Sequence, residues 1–425
     1  MATIVAPVPS SAADGHARKG SPHGKFHPIS LDALNFLLAD VRGALGPYLN
    51  VYLVTEQHWS QSAIGLVTTV GGYLGLIGQT PTGALIDSTH RKRGLIIVAL
   101  TVLGLGAVSI YAAPSFWSVM IANAVIALVG DIFGPAVAAL TLGLVARRAL
   151  ARRLGRNSAF DHAGNVAIAA LAGLVGWAFS QRSVFLLVPV FAGLAALAVL
   201  SIPAGAIDHE RARGADAAGS ESGADGHVSG LAVLFACRPL LVYAGCALLF
   251  HFANAPLLPL VGQKLAMSHK DFATAMMSAC IIAAQFIMII VAMIVGRTAD
   301  RWGRRPILLI GFAILPIRAW LYTVSDAAPW LIGVQLLDGL GAGIFGAITP
   351  LVVADLMRGT GRYNIAQGAV ATLQGIGAST SGLVAGMIVD RAGYGAAFLT
   401  LAAAAAVAFT ALAIGMPETR KQISE

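Results

Sequence analysis

Apolar stretches of about the length needed to cross a bilayer recur twelve times along the chain. They lie near 31–54, 63–86, 94–112, 116–145, 158–179, 183–202, 238–262, 272–295, 306–324, 330–356, 365–389 and 395–416. One helical crossing needs about 20 apolar residues, so twelve take up about 240. The pattern predicts an all-α polytopic membrane protein with twelve transmembrane helices in two pseudo-symmetric six-helix bundles. Charged residues make up 11% of the chain and hydrophobic ones 57%, which argues against a water-soluble enzyme. Residues 1–30 read as a polar tail without a signal-peptide core, 31–202 as the first bundle and 203–237 as an Ala/Gly/Ser-rich linker. Residues 238–416 read as the second bundle and 417–425 as a second tail.

The formal charge of +8 raises the question of a nucleic-acid partner, and the placement of the cations answers it. When the two tails and alternate loops are put on one side, that side collects 22 of the 28 Lys and Arg residues, including Arg91, Lys92, Arg93, Arg153, Arg156, Arg304 and Arg305. The opposite side receives Arg182, Lys264, Lys270 and Arg391, while Arg42 and Arg318 fall inside predicted helices. Basic residues spread over many short loops of one face follow the positive-inside rule and form no nucleic-acid stripe. Both termini are therefore expected in the cytoplasm, with the protein in a bacterial inner membrane. Cys237, Cys246 and Cys280 show no disulfide or metal spacing, and His16, His23 and His27 read as a solvated tail, so no metal or cofactor is expected.

The loop after the second helix contains Gly83, Asp87, Arg91 and Lys92, and the loop after the eighth contains Gly296, Asp300, Arg304 and Arg305. Both fit G-x-x-x-D-x-x-x-R-[RK] at a constant offset of 213 residues. Ile132-Phe133-Gly134 and Ile344-Phe345-Gly346 repeat at 212. With this duplication the chain resembles the major facilitator superfamily of secondary transporters, whose signature between helices 2 and 3 is G-x-x-x-D-[RK]-x-G-R-[RK]. Gly296, Asp300, Arg301, Gly303, Arg304 and Arg305 complete the pattern in the second copy. The first copy has Ser88 and His90 where the pattern has a basic residue and glycine. The resemblance implies alternating access and a cytoplasmic gate built on these residues. Independently of the family, Gly83 and Gly296 are small enough to let helices approach closely there, and Asp87 and Asp300 can meet helix N-termini or arginines.

Ionisable groups at membrane depth are costly, so they are the first candidates for function. The first helix carries Asn35, Asp40 and Arg42; Asn35 and Arg42 share a face, whereas Asp40 and Arg42 do not. Either of the charged pair could face a central cavity. The fourth helix carries Asp131, the seventh His251 and Asn254, and the tenth Gln335 and Asp338. The resemblance places these four helices around a central cavity, so the eight residues are expected to form one polar lining for substrate and protons. Asp161, His162 and Asp355 are expected as helix caps or members of a cytoplasmic network, and Arg318 has no evident partner. The expected function is proton-coupled secondary transport of a small molecule by a protein, expected to be a monomer, embedded in the lipid bilayer. Import of a polar or anionic metabolite and export of a toxic compound stay open. The fifth helix lacks the G-x-x-x-G-P-x-x-G-G run of the resembling antiporters. The alternative is a non-transporting membrane sensor that keeps the transporter fold.

Overall fold

A computed structural model describes residues 27–420 except 40–41, 43–44, 90, 209–211, 213–229, 359 and 361. Asp40, His16, His23, Arg211 and Arg213 therefore lie outside the described residues, as does the side chain of Asp87. The described chain is helical throughout, with no strand among its residues. Nine of its helices are long and apolar enough to cross a membrane. The three further passes that the sequence predicts fall outside that count for local reasons. The first crossing is split into Pro28–Leu38 and Gly46–Thr55, and Arg304–Leu321 is interrupted in apolarity by its arginines. The element Tyr363–Gly415 has 53 residues, about 80 Å if straight against a hydrocarbon core of about 30 Å. Gly393, at φ 81°, breaks it near residue 393 into two spans. A side chain at that φ would be strained, which is why glycine occupies the turn.

Two cores form. One gathers apolar side chains from Leu31 to Ala212 and the other those from Val233 to Met416. The first core also takes in Ala266, Ala273, Met277 and Ile281 from the second half, so the halves pack together at one end. That end is opposite the basic loops and is called the far face below. There Gly65 lies so close to Gly382 that an added methyl would collide with the Gly382 carbonyl, and the helices touch backbone to backbone.

Crossings 1, 4, 7 and 10 share a feature that the long helices 61–88, 92–112, 147–178 and 273–302 lack: each is interrupted partway along. The breaks fall between Leu38 and Gly46, at Asp131–Ile132, at Ala255–Pro256 and at Gln335. Pro47, Pro135 and Pro256 sit within the first turn of a resumed helix or just before it, where a missing N–H does little harm. Interrupted helices at membrane depth are tolerated where the loosened backbone borders protein or a water-filled cavity.

Candidate functional site: a polar cavity at the seam between the halves

Cross-half hydrogen bonds among the described residues run from the far face to mid-depth. At the far face, the backbone N–H groups of Gln61 and Ser62 donate to the Asp390 carboxylate at 2.9 and 2.8 Å, and Gln61 Nε2 donates to the Tyr394 hydroxyl at 2.8 Å. Asp390 thus caps, from the second half, the first turn of a helix in the first half, where a carboxylate is favoured. Deeper in, Thr69 donates to the Ser379 carbonyl at 2.6 Å, Tyr73 and Thr380 share a 2.7 Å bond, and His162 Nδ1 lies 2.8 Å from Gln285 Oε1. Leu76 and Gly375 lie against each other, and beyond them no hydrogen bond or ion pair joins the halves among the described residues.

The space that opens there is a cavity of about 610 Å³. Its walls come from crossings 1, 2, 4 and 11: Arg42, Gly71, Gly72, Gly75, Gln79, Asn123, Asp131, Pro135, Ala371 and Gly375 are among them. Arg42 Nη2 bonds Asp161 Oδ1 at 2.7 Å, with the two side chains 40% and 25% exposed. Asp131 sits at the break in crossing 4, half-buried over Gly75; its backbone N–H donates to the Val129 carbonyl, and its carboxylate has no hydrogen-bond or ion-pair partner among the described residues. Asn123 anchors its wall by donating to the Val67 carbonyl at 3.1 Å. A side chamber of about 170 Å³ joins Asn35, Arg42, Asn157 and Asp161, so Asn35 and Arg42 do face the same space.

The polar residues of crossings 7 and 10 are elsewhere, so the single lining expected from the sequence divides in two. Arg318, only 2% exposed, donates to Asn254 Oδ1 at 3.1 Å and pairs with Asp338. Tyr322 donates to Gln335 Oε1, and the Arg318 guanidinium lies 5.8 Å from the Tyr322 ring centroid. Asn254, Gln335 and Asp338 therefore hold crossings 7, 9 and 10 together around a buried guanidinium. His251 shares a hydrogen bond with the Ala247 carbonyl at 3.0 Å and lies edge-on to Phe345, with centroids 4.8 Å apart. Asp161 and His162 do not begin a helix. Helix Arg147–Ala178 extends eleven residues further toward the basic face than the apolar pattern indicates, because its Arg, Ala and Leu residues are strong helix formers.

At the basic face the second motif copy forms a compact network. Arg304 bonds Asp300 at 2.8 Å and Asp355 at 3.1 Å, and Arg358 bonds Asp355 at 2.9 Å. Gly303, at φ 92°, makes the turn between the two helices. Glu418 accepts from the backbone N–H groups of Arg304 and Arg305 at 2.9 and 3.1 Å. Burial alone would raise the Glu418 carboxyl, but the N–H groups of Arg420, Arg304, Arg305 and Thr419 outweigh it and hold the group below its ordinary range. Arg420 also donates to the Arg301 carbonyl at 2.9 Å. All these contacts stay within the second half. In the first copy Arg91 is exposed, and its N–H bonds Thr89. The close helix approach expected at Gly83 and Gly296 is not made, since a methyl at either would meet open space. At this face no hydrogen bond or ion pair joins the halves among the described residues, and neither glycine has a neighbouring helix against it.

The sequence profile of the Major Facilitator Superfamily matches residues 31–293 and 240–425. An uncharacterised MFS-type transporter of Mycobacterium tuberculosis strain H37Rv is 48% identical over 390 residues, covering 92% of this chain and 93% of that protein. The chain belongs to the major facilitator superfamily. It is an integral multi-pass membrane protein of a transporter family. The fold agrees with that of the nucleoside transporter NupG (TM-score 0.74, 14% identity, covering 91% of this chain and 98% of that one). It also agrees with the inward-open xylose transporter XylE from E. coli (TM-score 0.70, 13% identity, covering 93% and 96%).

Against this superfamily background, one buried cluster went unread in the sequence. Asp32, 3% exposed, accepts from Arg153 at 2.7 Å and from Arg156 at 2.7 Å, and Arg153 Nε donates to Asn157 at 2.8 Å. Asn157 in turn donates to Thr141 at 3.0 Å, tying crossings 1, 4 and 5 together. The available signal was an acid in the first turn of an apolar stretch, in a chain whose fifth helix begins with a run of arginines.

Proposed function

We propose that this chain is a proton-coupled importer. It loads or releases a small polar solute in the cavity around Arg42 and Asp131 and exposes that cavity to each side of the membrane in turn. The observation that carries alternating access is the asymmetry of the seam between the halves, sealed from the far face to mid-depth and open beyond it; import is read from the polar lining and tested below. With the basic face taken as cytoplasmic by the positive-inside rule, the state described is open inward and both termini are cytoplasmic. The lining supports a small hydrogen-bonding solute: one guanidinium, one carboxylate, two amides and several glycines, with no aromatic ring among the lining residues to stack a flat drug. NupG and XylE are by their titles a nucleoside and a xylose transporter, which fits cargo of this kind. Asp131, whose carboxylate has no partner among the described residues, is the group we assign to proton exchange. In the state open to the far face, the Asp300–Arg304 network would be brought against the first half and close the basic face.

The test is reconstitution in liposomes with labelled pentoses and nucleosides. An inward proton gradient is expected to drive accumulation. Asp131→Asn is expected to cut that accumulation by about tenfold or more while leaving solute counterflow at equal pH measurable. Accumulation indifferent to the proton gradient, or unchanged in Asp131→Asn, removes the coupling assignment.

A further inference from the structure

A second polar chamber, of about 180 Å³, lies in the sealed part of the seam between crossings 1, 2, 7 and 11. Asn50, Gln61, Thr68, Gln263 and Ser381 line it, and none of its lining residues is charged. Asn50 is 7% and Gln263 2% exposed, yet Asn50 Oδ1 and Gln263 Oε1 have no hydrogen-bond partner among the described residues. A buried amide oxygen is costly to leave unmet, so two facing one chamber point to something that meets them. Positions 50 and 263 are 213 apart, the offset that separates the two motif copies, so the amides occupy the same place in each half of the duplication. Crossings 2 and 11 also wall the main cavity, through Gly71 to Gln79 and through Ala371 and Gly375, so the two chambers are stacked along one seam.

We propose that this chamber is a second solute subsite on the transport path and that Asn50 and Gln263 determine its specificity. It takes an uncharged, hydroxyl- or amide-bearing group of the solute when the halves part at the far face, and water in the state described. Neutral amides and hydroxyls can both donate to and accept from such a group, whereas an ion would be desolvated there without a counter-charge. The proposal rests on the transport reading above.

The test compares wild-type, Asn50→Leu and Gln263→Leu proteins with an uncharged panel (D-xylose, D-ribose, uridine, glycerol) and a charged one (succinate, lysine). In liposome counterflow an uncharged member is expected to exchange, with KM raised by about tenfold or more in either leucine variant. The exchange of Asn50→Gln/Gln263→Asn, which keeps both amides, should stay near wild type. Thermal unfolding of the leucine variants should match or exceed that of wild type, since each removes a buried amide oxygen that no protein group meets. Exchange of charged members alone, or an unchanged KM in both leucine variants, overturns the subsite and leaves transport standing. If no member exchanges in wild type, the transport reading fails and the subsite is judged by binding. Thermal stabilisation of purified wild type by uncharged members, lost in both leucine variants, upholds it; absence of that stabilisation overturns it.

Discussion

Arg42–Asp161 in the first half and Arg318–Asp338 in the second are ion pairs of the same chemistry in very different surroundings. The first is 40% and 25% exposed and borders the cavity; the second is 2% and 14% exposed and sits inside a packed cluster. A pair at the edge of water can exchange partners with a solute at low cost, whereas a buried pair is fixed because neither charge has anywhere else to go. The two pairs do not correspond in the duplication, since 213 residues on from Arg42 stands Ala255 and 213 back from Arg318 stands Leu105; each half has its own polar centre, one bordering the cavity and one clamped in the core.

The largest expected effect follows from that contrast. Asp338→Leu strands the Arg318 guanidinium and should cost about 3–5 kcal/mol of stability, read as a lower denaturant midpoint in detergent micelles. Arg42→Leu should cost only about 0–1 kcal/mol but reduce solute counterflow by about tenfold or more. Equal destabilisation by the two variants would break the comparison.

A smaller effect separates the two ends of the seam. Asp390 reaches across the far face to cap the helix that begins at Gln61. Loss of such a cap is worth about 1 kcal/mol, so Asp390→Ala should shift the balance toward the far-open state by about fivefold. A cysteine at Thr68, inside the sealed chamber, should then react faster with a small maleimide added from the far face. An unchanged rate would mean that the cap contributes nothing to closure.

The sequence revealed the fold because membrane helices must satisfy their own backbone and stay apolar outside, which leaves a periodic trace. Crossing positions and the motif repeat could be read for that reason. The partnerships could not, because Arg42 and Asp161 are 119 residues apart and Asp32 and Arg153 are 121 apart, and no local pattern links them. Depth alone suggested one polar lining across four helices. Which face each helix turns inward depends on packing, and packing buried Asn254, Gln335 and Asp338 around Arg318. The open ground at Gly83 and Gly296 likewise depends on how neighbouring helices pack, which the motif's spacing does not encode.

The central claim, a cavity open at the basic face and sealed at the other, is tested most directly by placing a cysteine at Gln79, in the cavity wall, in a Cys237→Ser background. A membrane-impermeant maleimide should label Gln79→Cys in inside-out vesicles and leave it unlabelled in right-side-out ones. Labelling from the right-side-out face alone, or equally from both, would contradict the account.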